Sequence, residues 1–256
     1  MNIKDQILKL DGSTIHENTP LYRVFSNHWL NDMFADKKFS LSAPHKWDDP
    51  AENVMAKNLA KVNGHQNVAL TGVFKNFYGQ CWTLNPESDA MWRIYSPSKD
   101  GARVQTTVGR LLSAIYDPKN VFASMSYFIG SVAYRDQAGF KAFFDQYGST
   151  MTFDVAGRNQ AFQLLVKREA FTHEQEVRLL FRYAKEYDDN QRTEEYWPFA
   201  IDPNTLFDDV LFDPRMDDTV FDAAKKVLRG HGYTRPIERS TLYQIPQLDL
   251  DLNYGQ

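Results

Sequence analysis

Absences prune most of the possibilities for this chain. One cysteine, Cys81, stands in 256 residues, so no internal disulfide and no cysteine-based zinc site can form, which suits a reducing compartment. No apolar run approaches the roughly 18 residues of a membrane-spanning helix. The stretch from Met1 to Ile7 lacks the apolar core of a secretory signal, so the expected address is cytoplasmic and no membrane partner is expected. Neither sign of charge dominates. With 29 basic against 33 acidic side chains the formal net charge is −4, which by itself asks for neither nucleic acid nor an anionic surface. A Gly-rich loop ahead of Lys-Ser/Thr, a Gly-x-Ser-x-Gly elbow and a His-Glu-x-x-His pair are all missing. The six histidines, at 16, 28, 45, 65, 173 and 231, are scattered, so no metal is expected. Repeats, low-complexity tracts and linkers are missing too.

What is present is 43% apolar and 14% aromatic residues, ample for a core. Strand-like and helix-like patterns interleave irregularly, and the economical reading is one α+β domain over 1–256, with its core at about 20–243. Residues 1–19 read as an N-terminal helix and loop, the helix carrying Ile3, Ile7, Leu8 and Leu10 on one stripe, and 244–256 as a polar tail. Leu21 to Phe25 is rich in strand formers, and Ser26 can cap a helix bearing Trp29, Leu30, Met33 and Phe34. A short strand follows at Lys38 to Ala43. Asp49 as N-cap, Pro50 and Glu52 then mark a helix start, with acids that complement the helix dipole, and the helix runs to about Val62.

Phe77 to Leu84 reads as a buried strand, in which Cys81 is inert filler. Ser88 caps a short helix from Asp89 to Tyr95. A strand from Gly101 to Thr107, a helix over Leu111 to Ile115, a strand from Ser124 to Tyr134, and helices at Gln137 to Tyr147 and Met151 to Leu165 come next. Farther on are a charged loop from Lys185 to Glu195, an edge strand from Tyr196 to Phe199, a short strand at Val210 to Asp213, a helix from Thr219 to Arg229 and a last strand from Ile237 to Tyr243.

The most informative stretch is Lys167 to Arg182. From Glu174 it alternates with period two, which in a strand sets Glu174, Glu176 and Arg178 on one face and Val177, Leu179 and Phe181 on the other. The second face belongs to a core. The first carries either chemistry or solvent, with Lys167 as an available ion-pair partner.

Trp47-Asp48-Asp49-Pro50-Ala51-Glu52, Cys81-Trp82-Thr83, Met91-Trp92-Arg93-Ile94-Tyr95 with Gly101, Lys167 with Glu174-Gln175-Glu176-Val177-Arg178, Phe212-Asp213-Pro214-Arg215 and Ser240-Thr241-Leu242 together resemble a bacterial group, the domain-of-unknown-function family 2971. A second resemblance is to ADP-ribosyltransferases of the Arg/Ser/Glu type, which place Arg, a Ser-Thr-Ser-like triplet and Glu-x-Glu or Gln-x-Glu on successive core strands. Here Arg23, Thr83 and Glu174-Gln175-Glu176 stand in that order, with Cys81 and Trp82 replacing the first two members of the triplet.

That second resemblance implies a split, mostly antiparallel sheet and NAD as substrate. Glu176 would stabilise the cationic sugar as the nicotinamide bond breaks. Glu174 would deprotonate or orient the acceptor, and Arg23 would fork onto the pyrophosphate. Thr83 would orient the ribose or the glutamate, and Trp82, Trp92, Tyr95 and Arg178 would complete the dinucleotide site, Trp92 or Tyr95 covering the ring. The acceptor would be a macromolecule, protein or nucleic acid, in a toxin or phage-defence role with a possible neutralising partner. Hydrolysis of NAD at the same site is the alternative among enzymes. A non-catalytic pocket lined by Trp29, Trp47, Trp82, Trp92, Tyr95 and Arg178 is the alternative from another class. The transferase reading expects Arg23, Thr83 and Glu176 to converge on one cleft, and Glu176→Gln to abolish nicotinamide release with stability nearly unchanged.

Overall fold

The computed structural model describes residues 3–47, 49–54, 59–62, 66–70, 72, 74–184 and 194–249. Ile3–Gln6 forms a 3-10 turn and β1 (Ile7–Leu8) a short strand, where the pattern predicts one helix. The reason is tertiary: β1 adds in parallel to a sheet edge, Ile7 opposite Ile129, and that ladder satisfies the backbone while burying Leu8 completely.

β2 (Pro20–Phe25) leads to α1 (Asn27–Asp36), whose Trp29 amide donates to the Ser26 hydroxyl as its N-cap. Leu30, Met33 and Phe34 are buried, whereas Trp29 is 65% exposed. β3 (Lys38–Ser42) follows. Asp49 caps the turn Pro50–Asn53 as the sequence predicts, accepting from the Ala51 amide, but this is one 3-10 turn. Instead of a helix to Val62, β4 (Leu59–Val62) and β5 (Gln66–Ala69) pair antiparallel.

β6 (Phe77–Thr83), α2 (Asp89–Tyr95), β7 (Ala102–Thr107) and α3 (Val108–Ile115) fall close to their predicted places. The strand expected over Ser124 to Tyr134 divides into α4 (Ala123–Ser126), β8 (Tyr127–Ser131) and β9 (Ala133–Arg135). α5 (Gln137–Thr152) runs beyond Tyr147, and α6 (Arg158–Gln163) is shorter than predicted, starting after Gly157 in the left-handed region. β10 (Val166–Arg168) pairs in parallel with β9. The chain continues through a 3-10 segment, Glu169–Glu174, into β11 (Glu176–Arg182). β12 (Tyr196–Ala200), α7 (Pro203–Leu206), β13 (Val210–Phe212), α8 (Asp218–Gly230) and β14 (Ile237–Arg239) complete the described elements. The predicted Lys185 to Glu195 loop lies mostly outside the described residues.

The fold is α+β. Its main sheet runs β1-β8-β11-β6-β2-β7-β13-β14, with β3 and β12 branching from β6. Pairings are antiparallel except β1 with β8 and β13 with β14. β6 is the fork. It pairs with β11 along its whole length, but meets β2 only at Tyr22 opposite Thr83 and β3 only at Ser42 opposite Gly79. Between those two points the sheet opens, so it is split as expected.

β11 shows why the split matters. Val177, Leu179 and Phe181 enter the main core with Tyr78, Trp82 and Ile129. The opposite face is not wet: Leu180 packs into a second cluster with Phe77, Phe128 and Leu164, and Glu176 and Arg178 are buried. The period-two reading identified the faces correctly from Glu176 onward. Glu174, however, is not on the strand, because Gln175 takes a left-handed conformation, φ 43°, that ends the 3-10 segment.

Candidate active-site cleft

In the fork of β6 lies a cleft of about 270 Å³. Arg23 of β2, Thr83 of β6, Glu176 of β11 and Glu174 of the preceding turn all line it, as do Trp82 and Tyr95. Strand order explains the convergence: β11, β6 and β2 are neighbours, and Thr83 stands opposite both Glu176 and Tyr22.

Every peptide around Gln175 is pinned. The Thr83 hydroxyl donates to the Glu174 carbonyl (2.6 Å) and accepts from the Asn85 amide (3.0 Å). The Leu84 amide donates to the Gln175 carbonyl, and the Val132 amide to that of Glu176. The Glu176 amide donates to the Tyr134 hydroxyl at 2.8 Å. The one proton of the Thr83 hydroxyl is therefore spent on the Glu174 carbonyl, and what it orients is the backbone of Glu174.

Beneath the cleft sits a buried ionic cluster. Lys167 Nζ lies 2.6 Å from Glu174 Oε2, 3.1 Å from Glu52 Oε1 and 3.2 Å from Glu176 Oε2. Arg178 Nε donates to Glu176 Oε1 (2.8 Å), its Nη2 to Glu176 Oε2 (3.0 Å) and to Glu52, and its Nη1 to the Leu164 carbonyl (2.6 Å). Glu176 is 4% exposed. Burial pushes its carboxyl up, but Arg178 and then Lys167 outweigh burial and hold it at about 2. Arg178 and Lys167 occupy three of the carboxylate's roughly four lone-pair sites. The Cys81 thiol lies against the same group, and its own pKa is pushed well above the ordinary range, first by burial and then by Glu176.

Arg23 is different in kind. Its Nη1 donates to the Cys81 carbonyl, its Nε is buried without a partner, and among the described residues no carboxylate pairs with it. Burial lowers its pKa from the ordinary value. A guanidinium poised this way in a cleft wall is set to receive an anion.

Two predicted ligand residues lie elsewhere. Arg178 is 0% exposed and does not line the cleft; its guanidinium lies 4.5 Å from the Trp47 ring centroid. Trp92 is 1% exposed, with its Nε1 donating to Glu87 (2.8 Å), so its ring belongs to the core and cannot cover a ligand. On α2 the cleft-facing pair is Met91 and Tyr95, spaced i and i+4. The Tyr95 hydroxyl donates to Glu174 Oε1 at 3.2 Å. Trp29, exposed on α1, is outside the cleft.

Sequence reasoning missed Glu52 and Asp49 as cleft residues, because their helix-start roles explained them locally. Trp47 and Phe171 also line the cleft; from the sequence Trp47 is expected only in the non-catalytic pocket reading, and Phe171 not at all. Asp49 both caps its turn and pairs with Arg168 (2.6 Å). Among the described residues, no three His, Cys, Asp or Glu side chains gather as metal ligands would, and no helix is long and apolar enough to cross a membrane.

The family described as "Protein of unknown function (DUF2971)" matches residues 91–179, so the first motif resemblance holds over that segment. It includes Tyr95, Lys167, Glu174 and Glu176 but not Arg23, Trp47 or Thr83. No curated protein matches the chain. Among solved structures, the chain is similar to Thermus sp. 2.9 DarT in complex with ADP-ribosylated ssDNA, at 11% identity over 89% of this chain and 96% of that one, TM-score 0.39. It is similar to the same protein in complex with carba-NAD+, at 11% identity over 88% and 96%, TM-score 0.36. The complex with NAD+ gives 9% identity over 89% and 98%, TM-score 0.38.

Proposed function

We propose that the chain acts as one domain that breaks the nicotinamide–ribose bond of NAD and transfers ADP-ribose to a macromolecular acceptor, protein or nucleic acid. One observation carries the reading: Arg23, Thr83 and Glu176, from three separate strand segments, line one cleft, with Arg23 unpaired by any carboxylate among the described residues. At about 270 Å³ the cleft falls just below the roughly 300–1,000 Å³ of pockets that enclose a drug-sized ligand. It suits one end of a dinucleotide, with the remainder along the open rim.

The roles follow from the electrostatics. When the C1′–N bond breaks, its electron pair goes to the nicotinamide nitrogen and positive charge grows on the sugar. Glu176, ionised at any physiological pH, stabilises that charge. A carboxylate held at about 2 is a poor proton acceptor at neutral pH. The proton released as the acceptor nucleophile bonds to C1′ therefore passes to Glu174, the less enclosed of the two. Arg23 takes the pyrophosphate, and Tyr95, Trp47 and Phe171 offer aromatic surface to the ring. The motif resemblance is the support for a toxin or phage-defence role, in which a neutralising partner would block this cleft; the cytoplasmic setting is supported by the single cysteine, which suits a reducing compartment.

A second reading draws on Glu176 being closed by Arg178 and Lys167: a pocket that binds NAD without turnover. Incubation of pure protein with labelled NAD and a cell lysate tests both. The transferase reading expects nicotinamide release, label in protein or nucleic acid, and a loss of roughly 100-fold or more in Glu176→Gln. Label only in free ADP-ribose would indicate hydrolysis, and binding without release would favour the second reading. An unimpaired Glu176→Gln enzyme would sink the assignment of that residue.

A further inference from the structure

We propose that Lys167 is a positioning residue: its ammonium holds Glu174 in the orientation that receives the acceptor's proton, and this, beyond charge balance, is what its place in the cluster does. The inference rests on the transferase reading above. An ammonium has three N–H donors, and three carboxylates lie within 3.2 Å of this one: Glu52, Glu174 and Glu176. The contact with Glu174 is the shortest, at 2.6 Å. Phe171 closes another side, its ring centroid 4.5 Å from Nζ, so the ammonium is shielded from water where it meets the carboxylates.

The three glutamates do not depend on Lys167 equally. Glu52 and Glu176 each also pair with Arg178. Among the described residues Glu174 has no second cation; its other side-chain partner there is the Tyr95 hydroxyl at 3.2 Å. Removing the ammonium therefore leaves Glu52 and Glu176 anchored by Arg178, and Glu174 held only by the longer contact with the Tyr95 hydroxyl. Glu174 sits in the 3-10 segment with its carbonyl fixed by Thr83, so the backbone stays in place while the carboxylate loses its aim. Arg23, which makes no ion pair with this cluster among the described residues, is outside this change, so its hold on the pyrophosphate is unaltered.

Charge balance and positioning can be separated. Lys167→Met leaves three carboxylates, two of them buried, with Arg178 as the one remaining cation of the cluster, a change that can unfold the protein. Adding Glu52→Gln restores the original difference of one negative charge without returning a cation to Glu174. The experiment measures thermal midpoint and, with a cell lysate supplying the acceptor, kcat and KM for nicotinamide release from NAD in wild type, Lys167→Arg, Lys167→Met and Glu52→Gln/Lys167→Met. The expected result is a double variant with its midpoint recovered and KM within about twofold of wild type, but kcat still down by about 100-fold or more, the range of a lost general base. Lys167→Arg, which keeps the charge beside Glu174, recovers part of kcat. A double variant that regains stability and kcat together, or a Lys167→Met enzyme with wild-type kcat, overturns the proposal while leaving the transferase reading intact. A wild-type protein that releases no nicotinamide overturns both.

Discussion

Replacing Glu176 by glutamine removes a charge that is 4% exposed, and the loss in stability can be worked from the geometry. Burial favours the neutral acid, yet Arg178 and Lys167 hold the carboxyl at about 2 against an ordinary 4.5. That gap corresponds to about 3 kcal/mol at roughly 1.4 kcal/mol per unit, within the roughly 3–5 kcal/mol for breaking a buried pair. For a chain of this size it lowers the thermal midpoint by roughly 6–12 °C. The sign over pH is fixed by linkage. The folded value is depressed, so the contribution is fully present above pH 4.5 and is lost as pH falls through about 2. Urea unfolding of wild type and Glu176→Gln should differ by about 3 kcal/mol at pH 7, and the two curves should draw together between pH 4.5 and the lowest pH at which the fold survives. A difference at pH 7 below about 1 kcal/mol, or one that stays constant down to pH 3, would refute the reasoning. The transferase reading of the sequence expects nearly unchanged stability in this variant; the burial of Glu176 against Arg178 and Lys167 makes a loss the expected result instead.

Two other perturbations probe the frame of the cleft. Gly79→Ala would set a Cβ 2.6 Å from Trp47 Cζ2 and 3.0 Å from Leu180 Cδ2, an overpacking worth about 1–3 kcal/mol; the displaced indole should shift tryptophan fluorescence, and an unchanged spectrum and stability would count against the packing. At Gln175, φ 43°, valine should cost about 1–3 kcal/mol in denaturant unfolding and slow nicotinamide release, whereas glycine should be tolerated. Equal effects from both substitutions would show that the left-handed turn is not what sets the glutamates.

Much of this was legible in the sequence, for physical reasons that differ by element. Ser26 and Ser88 declared the starts of α1 and α2 because a cap is a local interaction. β6 and β11 were legible because alternation survives wherever one face meets a core. What local pattern cannot encode is what covers the second face. Arg178 looked like a residue facing solvent or ligand, but it is the counter-ion of Glu52, 126 residues away in sequence. Glu174 kept the period of the strand while standing outside it, since a single left-handed residue leaves no mark on hydropathy. Trp92 and Tyr95 shared a helix, and only the packing of α2 decided that Met91 and Tyr95 face the cleft.

The fork of β6 has a mechanical consequence. One edge of the strand is laddered throughout to β11, and at the other β2 attaches at Thr83 and β3 at Gly79, so the aperture between them is set by backbone pairing and the walls only decorate it. Side chains such as Met91, Phe171 or Tyr95 can be exchanged to alter what the opening accepts, while its width stays where the main chain put it. Redesigning selectivity here is therefore a question of lining, and resizing the opening would require moving a strand.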